Sequence, residues 1–163
     1  MTYFPDLTPY RYFPGEHILS LPCVNIGWLD VSEPFAVGNV PNQFCETLLK
    51  FCLPEHLVRK TRGWHQCNLG NCPYPVPPES RGNQTIYFAD AEIRVIGKTM
   101  IFAGPSLIYH YVAVHNYLPP NEFIQAVLTG PQPGSEEHLN VIDQVNRIEG
   151  EENRRLIEKA RSK

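Results

Sequence analysis

Sixteen prolines punctuate this chain, and their positions decide where a helix can run. Proline lacks an amide hydrogen and its ring clashes with the preceding turn, so it opens or stops a helix and rarely sits inside one. Pro5, Pro9, Pro14 and Pro22 exclude long helix from residues 1–22 and favour extended or turn backbone there. Tyr3, Phe4, Tyr10, Tyr12 and Phe13 lie along the same stretch, which reads as an arm of aromatic side chains packed across a core. A second cluster, from Pro73 to Gly82, makes a turn-rich link in mid-chain.

Between these breaks the hydrophobic pattern assigns short elements. Val24, Ile26 and Trp28 alternate onto one face and predict a strand. Cys45, Leu48, Leu49 and Cys52 recur at helical spacing between Pro41 and Pro54, with Pro41 at the first helical position. Thr85–Phe88, Ile93–Ile96 and Thr99–Phe102 read as strands of a small meander, the last two joined by a turn at Gly97-Lys98. Pro105 opens a helix through Leu107, Ile108, Tyr111 and Val114 to about Asn116. Phe123, Ile124, Val127 and Leu128 stripe a second, stopped by Gly130-Pro131. Beyond Gln132 the chain turns polar, and a thin stripe of Leu139, Ile142, Val145 and Ile148 predicts a docked helix that Gly150 interrupts.

The chemistry concentrates in Arg62–Pro73, which carries His65, Cys67 and Cys72. Zinc takes four thiolate or imidazole ligands in a tetrahedron, with neighbouring pairs drawn from tight loops. Four residues separate Cys67 from Cys72, within that range. Asn68, Gly70 and Asn71 are types that tolerate the left-handed backbone of a knuckle. In extended backbone the side chains of His65 and Cys67 share a face. The fourth ligand comes from the helix after the strands, as in a treble-clef-like module: His110 is the first choice and His115 the second. The expected metal ligands are therefore His65, Cys67, Cys72 and His110, around a structural zinc. His17, His56 and His138 have no supporting context, and Cys23, Cys45 and Cys52 read as small core hydrophobes.

Other chemistries find less support. Four protein ligands leave no open position for a metal-bound water, and no His-Glu-x-x-His helix is present. His65 is followed by Gln66 and Cys67, not by the Glu that deaminase chemistry needs. A Cys67–His110 nucleophile pair is the remaining enzymatic arrangement. No catalytic residue is assigned. A net charge of −3 indicates neither nucleic acid nor an anionic membrane as partner. No apolar run approaches the ~20 residues of a membrane span. The opening residues lack the basic and apolar regions of a signal peptide, which makes the cytoplasm the expected compartment and metal ligation the expected use of paired thiols.

Asn25-Ile26-Gly27-Trp28-Leu29-Asp30, Arg62-Gly63-Trp64-His65-Gln66-Cys67 and the block from Tyr109-His110-Tyr111 through Pro119-Pro120-Asn121-Glu122-Phe123 are similar to blocks shared, in this order, by an uncharacterised family of small bacterial proteins. The resemblance spans roughly residues 1–130 and brings no established activity. In that family the second Cys follows the first by three positions; here Cys72 follows Cys67 by five. Small soluble proteins of this sort resemble immunity or accessory proteins beside bacterial toxins, which implies a protein partner, a toxin among the candidates.

The expected fold class is α+β: a small antiparallel β-meander with a zinc-knuckle-like loop and an αα-hairpin packed on it. Residues 1–130 form the single domain with the zinc site, and 131–163 a polar helical extension. The expected function is a zinc-stabilised binding or adaptor protein, of the immunity type. The alternative is a small zinc-dependent hydrolase or Cys–His enzyme using His65, Cys67, Cys72 and His110.

Overall fold

The segments Glu92–Ile96 and Ile101–Pro105 are apolar apart from Glu92 and Arg94, and every residue of both is buried. Strands that read as continuous hydrophobic runs are covered on both faces, and these two form the centre of the molecule. The computed structural model describes residues 2–12 and 17–161. Phe13 and Pro14 of the aromatic arm lie outside the described residues.

In chain order the strands are β1 (His17–Ile18), β2 (Leu21–Asn25), β3 (Glu79–Arg81), β4 (Gln84–Ile86), β5 (Glu92–Ile96) and β6 (Ile101–Pro105). The helices are α1 (Asn42–Phe51), α2 (Ile108–His115), α3 (Asn121–Thr129) and α4 (Glu136–Arg161), with one 3₁₀ turn at Pro54–His56. The main sheet runs β1-β2-β6-β5. β5 and β6 pair antiparallel across the Gly97–Met100 turn, closed by the Gly97 N–H to the Met100 carbonyl at 2.8 Å. β2 lies parallel to β6, with Cys23 opposite Ile101.

The architecture is α+β, with small sheets and four helices among the described residues. Its strand pairing differs in detail from the meander. β4 pairs with β3 in a separate hairpin, because Gly82 at φ 58° supplies the left-handed residue of a two-residue turn. The β5–β6 pair is extended on its other side, beside β6, by β2 from far upstream.

Alternation sorts the side chains of the main sheet into two layers. Val24, Ile26, Ile93, Val95 and Phe102 face one cluster with Phe44, Leu48, Phe51 and Phe123 of the helices. Cys23, Ile96, Ile101 and Ala103 face the other, with Tyr10, Trp28 and three side chains of α4: Val141, Ile142 and Val145. Each such apolar side chain taken out of water contributes about 1.5–3 kcal/mol. α1 packs against both α2 and α3, and α3 reaches β5. Of the arm, Tyr10 is buried, Phe4 meets Trp28 edge-on at 5.8 Å, and Tyr12 remains exposed.

Gly104 has a packing reason. A Cβ there would stand 2.6 Å from the Ile26 carbonyl oxygen and 2.9 Å from its Cγ2. Gly104→Ala is expected to lose about 1–3 kcal/mol, the cost of forcing backbone apart in a filled core. Urea denaturation checks this, and an unchanged midpoint would mean the close approach of β2 and β6 is not required.

α4 is continuous through Gly150, which does not break it. Its first half is fastened by His138, which is fully buried. His138 Nδ1 accepts from the Gly134 N–H at 3.3 Å, leaving Nε2 to donate to the Arg94 carbonyl at 3.2 Å. The ring meets His56 and Phe51 edge-on at 5.2 and 5.3 Å. Burial, and then the neighbouring His56, push His138 down to about 4; burial also lowers His56.

A depressed histidine binds fewer protons folded than unfolded between its two pKa values. Stability therefore falls as pH drops from about 6.5 toward 4, with a slope of at most about 1.4 kcal/mol per pH unit from His138. Denaturation at pH 7, 6 and 5 should show the decline, and His138→Gln should flatten it. An equal slope in the variant would place the acid sensitivity elsewhere.

Candidate metal centre

The loop from Trp64 to Pro78 forms neither helix nor strand. It is held to the body at discrete points. The His65 N–H bonds the Ala89 carbonyl at 2.8 Å, and Asn68 Nδ2 donates to Asp30 Oδ2 at 2.7 Å. The Cys67 side chain is 1% exposed and belongs to the main core cluster. Cys72 is half-buried at the loop's outer turn. None of Asn68, Gly70 and Asn71 takes a left-handed φ. What Gly70 offers is flatness: a Cβ there would already touch His115 Cε1 at 3.4 Å.

α2 faces this loop. Leu107, Ile108 and Tyr111 are fully buried and root it in the core. Pro105 ends β6 and the helix starts at Ile108, later than its proline suggests, which puts His110 in the first turn. Asn116 ends the helix in the left-handed region at φ 52°, ψ 30°, and the Tyr117 N–H returns to the Tyr111 carbonyl at 3.1 Å. Tyr117 then donates its hydroxyl to Asp6 Oδ2 at 2.6 Å. The turn immediately after His115 is thus pinned from both sides.

Four ligand atoms converge between loop and helix: those of Cys67, Cys72, His110 and His115 all lie within 4.8 Å of one another. Cys67 Sγ is 3.2 Å from His115 Nε2, and Cys72 Sγ is 3.2 and 3.3 Å from the Nε2 atoms of His115 and His110. The two Nε2 atoms are 3.2 Å apart. A tetrahedron with zinc-type bonds of about 2.0–2.3 Å has edges of about 3.3–3.8 Å, so these spacings suit one ion at the centre. Five residues along a helix turn a side chain by about 500°. His110 and His115 therefore leave α2 on different flanks and meet only at their ring tips.

Burial favours the neutral forms of both imidazoles and of the Cys67 thiol. Burial, and then the charge of His115, hold His110 down to about 4, and burial lowers His115. Both imidazoles are thus neutral and able to donate lone pairs at neutral pH. Burial pushes the Cys67 thiol up to about 11, with Cys72 beside it adding to the rise. A divalent ion, once bound by Cys67 and Cys72, would reverse that preference and hold both as thiolates.

Of the residues marked by the sequence, Cys67, Cys72 and His110 come together, and His115, the second choice for the helix ligand, joins them. His65 stands outside the group. It lines a small hollow with Tyr12, Trp28, Arg59 and Glu92. The shared face proposed for His65 and Cys67 requires a strand, and this segment is not one. The signal for His115 was present: His-x4-His repeats the spacing of Cys-x4-Cys, and both fall in the usual ranges for zinc ligands. His115→Ala should lose metal, whereas His65→Ala should keep the wild-type stoichiometry by elemental analysis; the reverse result would reinstate His65.

The fold and site define an α+β protein with a Cys₂His₂ cluster positioned to bind a metal ion. The chain belongs to the family described as Domain of unknown function (DUF7919), whose model matches residues 2–128, a span that includes all four ligand residues. No curated protein and no solved structure matches the chain. No helix among the described residues is long and apolar enough to cross a membrane.

Proposed function

We propose that this chain is a zinc-stabilised binding or adaptor protein, of the immunity type, in which the ion serves structure. The observation that carries the reading is the closed ligand set: Cys67, Cys72, His110 and His115 supply four donors and leave no position for a reacting water. Two thiolates and two imidazoles in tetrahedral array favour zinc over harder cations. When bound, the ion supplies a cross-link between loop and helix.

Elemental analysis should find one zinc per chain. X-ray absorption should show two sulfur and two nitrogen neighbours, and the cobalt(II) form the intense visible bands of a tetrahedral site. For the partner, a bacterial toxin mixed with the chain should form a stoichiometric complex and lose activity. An oxygen neighbour from water would overturn the closed site.

The second reading is a small zinc-dependent or Cys–His enzyme. One observation favours it: Cys72 and His110 line a cleft of about 290 Å³ together with Glu79 and Tyr109. Zinc-dependent turnover with no protein partner would select it.

A further inference from the structure

The two thiols of the centre differ in their access to solvent. Cys67 is 1% exposed and walled by the core. Cys72 lies at the loop's turn and forms part of the lining of the 290 Å³ cleft, between Asn71, Pro73 and the aromatic wall of Phe88 and Tyr109, which stack at 5.3 Å. Of the four residues of the centre, this cleft is lined by Cys72 and His110 and not by Cys67 or His115. The other thiols are placed differently: Cys23 and Cys52 are buried, and Cys45 sits half-buried on α1.

We propose that Cys72 is a site of oxidative modification by a hydroperoxide, with Cys67 as the resolving thiol, and that closing the pair releases the metal. The inference rests on the zinc reading above and adds a regulation to the same site. The Cys72 thiolate attacks the terminal hydroperoxide oxygen; the O–O bond breaks, Cys72 becomes a sulfenic acid, and the other oxygen leaves as alkoxide, or as hydroxide from hydrogen peroxide, and takes a proton. The Cys67 thiolate then attacks the Cys72 sulfur. An S–S bond forms and the sulfenic oxygen leaves as hydroxide, again protonated to water. The two thiolates lose two electrons and the peroxide gains them.

Three features make the second step feasible. The sulfur atoms start within 4.8 Å, against about 2.05 Å in a disulfide. The connecting residues carry no strand or helix hydrogen bonds that closure would break. Gly70, between the two cysteines in sequence, presents no side chain to the His115 ring, whose Cε1 a Cβ there would meet at 3.4 Å. The disulfide removes two of four donors, and two imidazoles alone hold a divalent ion weakly. A dithiol reductant with added zinc reverses the change.

The test uses the full chain, purified zinc-loaded under reducing conditions, titrated with hydrogen peroxide while a chromophoric chelator reports free zinc. The expected result is release of one zinc per chain together with loss of two of the five free thiols and a Cys67–Cys72 cross-linked peptide by mass spectrometry. Trapping with a sulfenic-acid reagent at low peroxide should label Cys72 and spare Cys67. Cys45→Ala should release zinc like the parent. Zinc retained under peroxide, label on Cys67, or oxidation confined to Cys45 would each overturn the proposal. A chain that binds no zinc overturns this inference and the zinc reading together, whereas one that binds zinc and keeps it overturns this inference alone.

Discussion

Cys67→Ser is expected to remove the metal and with it at least about 4 kcal/mol of stability, when free zinc exceeds its dissociation constant a thousandfold. The loss follows from linkage. The ion binds the folded arrangement of Cys67, Cys72, His110 and His115, and in the unfolded chain those donors are scattered along the sequence. Cys72→Ser should behave alike. The effect separates from ordinary core damage by adding a chelator: the parent should then melt near the variant, because both lack the same cross-link. Unchanged melting and unchanged metal stoichiometry in either variant would remove the centre from the account of stability.

The second large effect belongs to a buried charge. Glu92 accepts the Tyr10 hydroxyl at 2.9 and 3.1 Å and Arg94 Nη1 at 2.8 Å, while Arg94 also donates to the Ile93 carbonyl at 2.9 Å. Arg94 and Glu92 are 1% and 3% exposed. Glu92→Ala leaves a guanidinium in the core without its counter-ion, at an expected cost of about 3–5 kcal/mol. The double replacement Glu92→Leu with Arg94→Met removes both charges and should cost much less than the sum of the single changes. Urea midpoints at unchanged slope measure each value. Strict additivity would show that the two groups do not depend on each other.

Much of the centre was legible because its ligands come in local pairs. The spacing of Cys67 and Cys72 and a histidine-bearing helix pointed to three of the four residues that the fold clusters. His115 was weighed only as an alternative to His110, not as its companion, and His65 took the remaining place on the assumption of extended backbone. An extended segment at 65–67 would have favoured His65, while the tightly ended α2 presents His115. The helices after Pro41 and Pro120 were legible from proline and apolar spacing, since both signals act within a few residues. The parallel partnership of β2 and β6 was not, because hydrophobic alternation says which face a strand buries and not which distant strand lies beside it. The buried pair of Glu92 and Arg94 is local, two residues apart on one strand face, but only the tertiary fold brings Tyr10 to both.

That long-range partnership also sets an order of events during synthesis. β2 ends at Asn25, and its neighbour β6 begins at Ile101, so one edge of an early strand stays without its mate until most of the chain has left the ribosome. Closing so long a loop must precede the reward of the contacts it makes. A nascent chain halted before Ile101 should remain protease-sensitive throughout, and protection should arrive only after β6 has been followed out by the helices that complete the two clusters.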